Sequence, residues 1–345
     1  MSASAILRPR ASLLKPSLTK RLASTIPAPP PPQITTLSNK LRVVTESTPG
    51  HFHAVGVYVD AGSRYETKRN SGISHLMDRL AFKVCLLSLQ IKKERTDEQS
   101  TDKYSDEEMT TLIDSLGSQV TCSSSRESIM YQSTVFPQSL PLAMSLISST
   151  ILQPKLTSTE LETQKDAAAY EVREIWQKPE LILPEILHSV AFKDNTLGMP
   201  LLCPESQLDV LGEKEVRGFM RDWYKPERMV VAGVGMQHEE LVELAQKEFG
   251  SMVSPSPTAS TSTLHQTGTT VSQPSGSKHF ATVSNVGSNE FAELAGARAT
   301  YTGGEEYIEK PDEEFVHLYV GFEGLGIHDP DIVCPILMYM LTADG

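Results

Sequence analysis

Apolar positions recur along this chain in two different rhythms. Alternation with period two marks Leu41–Glu46 and Val55–Asp60, read as a pair of strands joined through Ser47-Thr-Pro-Gly50, and again Gln119–Ser123 and Ile129–Phe136, which flank the turn at Ser124–Glu127. Helical spacing takes over from His75 to Lys83, where Leu76 and Leu80 lie one turn apart and Ser71-Gly72 supplies a start signal. It returns at Met109–Leu116, at Leu140–Leu152, and from a cap at Ser158 to about Gln177, where Pro179 is expected to stop the helix. Leu181–Phe192, Glu213–Trp223 and Glu239–Phe249 complete the helices, and Met229–Gly235 reads as a buried strand. The mixture predicts an α+β fold.

From Gly250 to about Arg298 the periodicity fades into Ser, Thr, Pro and Gly, the composition of a linker. Glu314–Phe322 then alternates like a strand and is expected to open a second domain, of which only the start lies within the chain. The expected organisation is therefore a leader over 1–22, a Pro-rich lead-in over 23–40, a domain over 41–250, a linker over 251–298 and the beginning of a second domain over 299–345.

Charge sharpens the reading of the N-terminus. Arg8, Arg10, Lys15, Lys20, Arg21, Lys40 and Arg42 precede the first acid, Glu46, and Leu7, Leu14, Leu18 and Leu22 are interspersed without a continuous apolar run. Such a segment reads as a mitochondrial transit peptide rather than a secretory signal; a basic tail on a cytosolic protein is the alternative. The whole chain carries −12, a charge that repels phosphate and disfavours nucleic acid as a partner. No apolar stretch approaches the roughly 20 residues of a membrane-spanning helix. Cys85, Cys122, Cys203 and Cys334 show no paired spacing and are expected to be free thiols.

The candidate chemistry lies in His75-Leu-Met-Asp78-Arg79. In the inverted zinc motif H-x-x-E-H, two histidines one helical turn apart chelate the metal and the glutamate activates water. Here Asp78 stands in place of the glutamate, and Arg79, which offers no lone pair, in place of the second histidine. Taken alone, these five residues are an ordinary amphipathic helix start.

Their surroundings carry more. Ala61–Glu66, Asn70–His75, Arg79–Lys83, Ser123–Gln132, Tyr170–Glu174, Asn195–Pro200, Tyr224–Gly235, Tyr301–Gly304 and Phe315–Gly324 together resemble successive signatures of the pitrilysin-type, inverted-zinc metallopeptidase family. Within it they resemble most the non-catalytic α-type branch of the processing peptidases, where the motif reads His-x-x-Asp-Arg. The resemblance implies a mixed sheet with helices packed on it, and it places Glu174 near the third-ligand position. With His75 and Glu174 as the only potential ligands, no zinc is expected on this chain. The resemblance further implies a zinc-bearing β subunit as partner, basic presequence peptides as substrates and the mitochondrial matrix as the site of action. Glu160, Glu162, Asp166 and Glu171 are candidate substrate-binding acids, although a charge-rich helix is also what a solvated face looks like. Two other roles remain open: a structural core subunit of the respiratory cytochrome bc1 complex, and a truncated product without activity.

Spacing departs from the family at one place. The 94 residues between Arg79 and Glu174 exceed the family's interval, and the excess falls at Val84–Gln99. That segment begins Val-Cys and ends Gln, as a translated short intron would, and Val-Cys recurs at 333–334 just beyond the last family-like residues. Retained introns at 84–99 and 333–345 are one expectation; a genuine surface loop and a sequenced fragment are the others.

Overall fold

The computed structural model describes residues 31–82, 101–253, 289–311 and 315–324; the leader, the segment 84–99, most of the linker and residues 325–345 lie outside them. A six-stranded mixed sheet forms the frame, built from β1 (Gln33–Thr36), β2 (Arg42–Glu46), β3 (His53–Val59), β4 (Val120–Ser124), β5 (Ile129–Val135) and β6 (Met229–Val234) in the order β1-β2-β6-β3-β5-β4. The described helices are α1 (Ile73–Leu80), α2 (Asp106–Ser115), α3 (Leu140–Leu152), α4 (Ser158–Trp176), α5 (Pro179–Ala191), α6 (Glu205–Leu208), α7 (Glu213–Trp223), α8 (His238–Phe249) and α9 (Asn289–Gly296).

β2 and β3 do not pair with each other, contrary to the expectation from their short connection. β6 is inserted between them, parallel to β2 (Arg42 opposite Val230) and antiparallel to β3 (Val59 opposite Met229). A parallel neighbour needs a long crossover, and here the whole run from α1 to α7 supplies it. The near-continuous apolar character of Met229-Val-Val-Ala-Gly-Val suits a strand hydrogen-bonded on both edges. The hairpin β4–β5 forms where it was expected.

α3 is buried almost all round, through Leu140, Ala143, Met144, Leu146, Ile147 and Ile151. It packs on β3, β5, α2 and α8 and joins them in one core. α1 packs instead against α4, β4 and α7, which sets the degenerate motif between a helix pair and the sheet edge.

Several boundaries shift by a residue or more because caps, not apolar spacing, decide them. α4 is capped by Thr157, not Ser158: the Thr157 hydroxyl accepts from the Glu160 N–H at 3.2 Å while Glu160 accepts from the Thr157 N–H at 2.9 Å. The same box at Ser105 and Glu108 starts α2 three residues before Met109. Pro179 does follow the end of α4, and it also opens α5, where its missing N–H costs nothing. α9 lies inside the expected linker, its Leu294 and Ala295 packed against the core. The expected strand 314–322 is not found: residues 315–322 enter no ladder among the described residues, and Phe315, Val316, Leu318 and Phe322 are solvent-exposed. Alternation alone makes no strand without a neighbouring edge to bond.

One of the family-like motifs is explained by the core. Arg228, immediately before β6, is buried, lies over the rings of Tyr65 (4.9 Å) and Trp223 (4.7 Å), donates through Nε to the Asp60 carbonyl at 2.9 Å and sits 3.0 Å from the Asp60 carboxylate. Asp60 also accepts from the Tyr65 hydroxyl at 2.6 Å. This cluster ties the end of β3 to the start of β6, so Arg228→Ala, which leaves Asp60 without its cation and empties the stack, lowers unfolding free energy by about 3 kcal/mol in urea titrations.

Candidate degenerate metal site

α1 begins at a position that only glycine fits. Gly72 has φ +87°, and a Cβ there would overlap the backbone and side chain of Cys203. The closeness has a consequence: the chain at Cys203 runs directly against the first turn of α1, and its N–H donates to His75 Nδ1 at 3.2 Å. Because Nδ1 is the acceptor there, the neutral ring carries its proton on Nε2. That Nε2–H faces Glu171 Oε2 at 3.3 Å.

The same carboxylate oxygen meets Arg79 Nη1 at 3.0 Å. His75 and Arg79, one turn apart on α1, therefore converge on a single acid from α4. Asp78 points elsewhere: its Oδ2 accepts from the N–H and the hydroxyl of Ser124 on β4, at 3.2 and 3.4 Å, which fixes α1 to the sheet edge. In the zinc motif this position would activate a water; here its geometry is that of a brace.

The acid that meets His75 and Arg79 is Glu171; Glu174, near the family's third-ligand position by resemblance, is exposed one turn further along α4. The four candidate substrate acids separate likewise. Glu160 is in the capping box and Glu171 in the His75–Arg79 pair, while Glu162, 2.9 Å from Lys165, and Asp166 occupy exposed positions.

These residues do not fit a catalytic zinc. His75 presents an N–H where a ligand needs a lone pair, Arg79 places a fixed positive charge where a second ligand would be, and among the described residues no three His, Cys, Asp or Glu side chains converge as a ligand set.

Sequence reasoning missed the roles of Glu66 and Cys203, and it read Gly72 only as a helix start signal. Glu66 is buried, and its carboxylate accepts from the N–H of Gly72 at 2.6 Å and of Ser74 at 2.8 Å, capping α1 from outside the helix. Burial pushes its carboxyl up to about 7 from 4.5, with the two backbone donors opposing the rise. Burial, and secondarily the Glu66 charge, pushes the Cys203 thiol up to about 12, so this cysteine is held as an inert thiol. Neither Cys122 nor Cys203 is in a disulfide, while Cys85 and Cys334 lie outside the described residues.

A mixed sheet with its helices, and a motif helix set against a long acidic helix, define an inverted-zinc peptidase scaffold whose metal site has been replaced by an ion pair. The chain belongs to peptidase family M16: the model for insulinase (peptidase family M16) matches residues 42–87 and 94–205, and that for the M16 inactive domain matches residues 211–344. Residues 88–93, which the first match skips, fall within 84–99. Among its relatives, the mitochondrial-processing peptidase subunit alpha of Neurospora crassa is 49% identical over 219 residues, covering 64% of this chain and 35% of that protein. The probable mitochondrial-processing peptidase subunit alpha of Schizosaccharomyces pombe is 32% identical over 316 residues (90% of this chain, 53% of the relative), and the human subunit alpha 28% over 326 residues (91% and 53%). This chain thus spans between a third and about half of the length of these relatives. In fold it is similar to a protease from Helicobacter pylori, with a TM-score of 0.57 and 21% identity over 65% of this chain and 51% of that one.

Two measurements check the site. Since the folded carboxyl of Glu66 titrates above its unfolded value, the folded state holds a proton that the unfolded chain releases, and its contribution is full below about pH 4.5 and lost as pH rises through about 7. The Glu66→Gln chain therefore shows a flatter decline of its urea midpoint over that window than the parent. Secondly, the double variant Asp78→Glu, Arg79→His restores the motif's letters but keeps the Cys203 amide on Nδ1; elemental analysis finds well under one zinc per molecule, and one tightly held zinc would contradict the tautomer assignment.

Proposed function

We propose that this chain acts as a non-catalytic, substrate-recognising subunit of a mitochondrial processing peptidase, paired with a zinc-bearing β subunit that cuts basic presequences in the matrix. The observation that carries this reading is the Arg79–Glu171 pair beside His75: where the zinc motif has its second histidine this chain has a cation paired with an acid of α4, while the peptidase fold around it is kept. The names of the alpha-subunit relatives and the acid-free, Arg-bearing start of the chain support the same role and the same compartment. Relatives named as subunit beta, such as that of Caenorhabditis elegans at 29% identity over 220 residues, support a pairing of like folds.

The substrate preference follows from charge. A chain of net charge −12 attracts basic peptides at long range, and Glu162 and Asp166, exposed on α4, are the acids we assign to contact with them. Hydrolysis is left to the partner, whose zinc would supply the activated water.

Mixing the chain with a zinc-bearing β subunit and a fluorogenic presequence peptide tests the assignment. Cleavage is expected only with both subunits present, and Glu162→Gln with Asp166→Asn raises KM several-fold with little change in kcat. Cleavage by this chain alone, or co-purification with cytochromes in place of a β subunit, would overturn it.

A further inference from the structure

Behind the degenerate site lies a cavity of about 450 Å³ that the role of His75, Arg79 and Glu171 does not use. Val172, next to Glu171, and Cys203, which holds His75, form its inner wall; Ile182 and Ile186 of α5 line one side. Its outer lip is the segment Gly303–Ile308, fastened in place by Thr302, whose N–H donates to the Ala191 carbonyl at 2.7 Å, and by Lys310, which donates to the Trp176 carbonyl at 2.8 Å. The wall is apolar and the lip acidic: Glu305 and Glu306 are exposed at the mouth, opposed by one cation of the lining, Lys193, while Glu185 is already paired with Arg126 at 2.8 Å.

An apolar hole with a negatively charged mouth suits one kind of occupant better than others. A neutral apolar ligand gains nothing from Glu305 and Glu306, and an acidic one is repelled; a peptide bearing a bulky aliphatic side chain beside arginines satisfies both features. The volume is ample for a single Leu or Phe side chain, which is 1.5–3 kcal/mol's worth of burial on the usual scale, about ten- to hundredfold in affinity. We propose that this cavity is a subsite for the apolar side chain of a basic peptide, with Glu305 and Glu306 holding the flanking positive charge. The proposal rests on the presequence-recognition reading above and assigns it a location.

The chain contains two tryptophans, which makes the test direct. Trp176 lines the cavity and is 42% exposed, whereas Trp223 is buried at 3%. The full chain is titrated with a short Arg-containing peptide carrying one Leu and with its Leu→Ala counterpart. The Leu peptide is expected to shift Trp176 emission to the blue and to bind about tenfold more tightly than the Ala peptide. Ser189→Phe, at an exposed position of the lining, removes that preference, and Glu305→Gln with Glu306→Gln weakens binding several-fold in low salt. Trp176→Phe abolishes the optical change but keeps the preference when binding is followed by anisotropy. Equal binding of the Leu and Ala peptides, or equal binding of an uncharged Leu peptide, overturns the subsite while leaving presequence recognition standing. If no basic peptide binds, and none is cut with the β subunit present, the functional reading itself has failed.

Discussion

The start of α1 is buried, and a buried helix start must have its free amides and its charged neighbours satisfied from other parts of the chain. Glu66 reaches in to accept from two of those amides. Cys203, brought close by the bare Cα of Gly72, spends its own amide on His75. His75, its proton thereby placed on the opposite nitrogen, turns that N–H to Glu171, and Arg79 supplies the charge this acid needs. At about 3 Å and an effective dielectric near 20, such an ion pair is worth roughly 5 kcal/mol of attraction before desolvation is counted. The degenerate site is therefore a connected hydrogen-bond network in which each residue fixes the next.

This gives the loss of the metal a structural meaning. A zinc site holds two helices together through shared ligands. Here α1 and α4 are joined across the same gap by a guanidinium, an imidazole and one carboxylate, so the scaffold keeps its cross-brace while giving up the chemistry. Asp78 adds a third attachment, to β4. The peptidase fold is kept around the ion pair.

How much of this the sequence discloses depends on whether the deciding interaction is local. The hairpin β4–β5, the core helix α3 and the helix α7 are legible because side-chain periodicity and nearby turns determine them. The insertion of β6 between β2 and β3 is not, since it depends on a crossover of well over a hundred residues that no local pattern encodes. The motif at His75–Arg79 was readable as a broken zinc site only together with the family-like segments around it. The acid that pairs with it, Glu171, was named only as a candidate substrate contact, because its approach to Arg79 depends on how α4 packs on α1. Glu66 and Cys203 were invisible: an acid in the loop after a strand-like run, and a thiol with no partner in spacing, signal nothing until the fold brings them to the same helix end. A glycine before a helix was noticed as a start signal, but its reason, the approach of Cys203, is tertiary. At 314–322 a correct local pattern overpredicted, as a strand is completed only by its neighbour.

The claim on which the account turns is that the Cys203 amide fixes the His75 ring with Nδ1 as acceptor and Nε2 protonated. Nitrogen NMR of the chain labelled at its histidine rings, with His75 assigned by comparison to the His75→Gln spectrum, measures this directly. The account predicts a neutral ring with its proton on Nε2 and no response of that signal to added zinc; a proton on Nδ1, or an Nε2 resonance displaced by stoichiometric zinc, would contradict it.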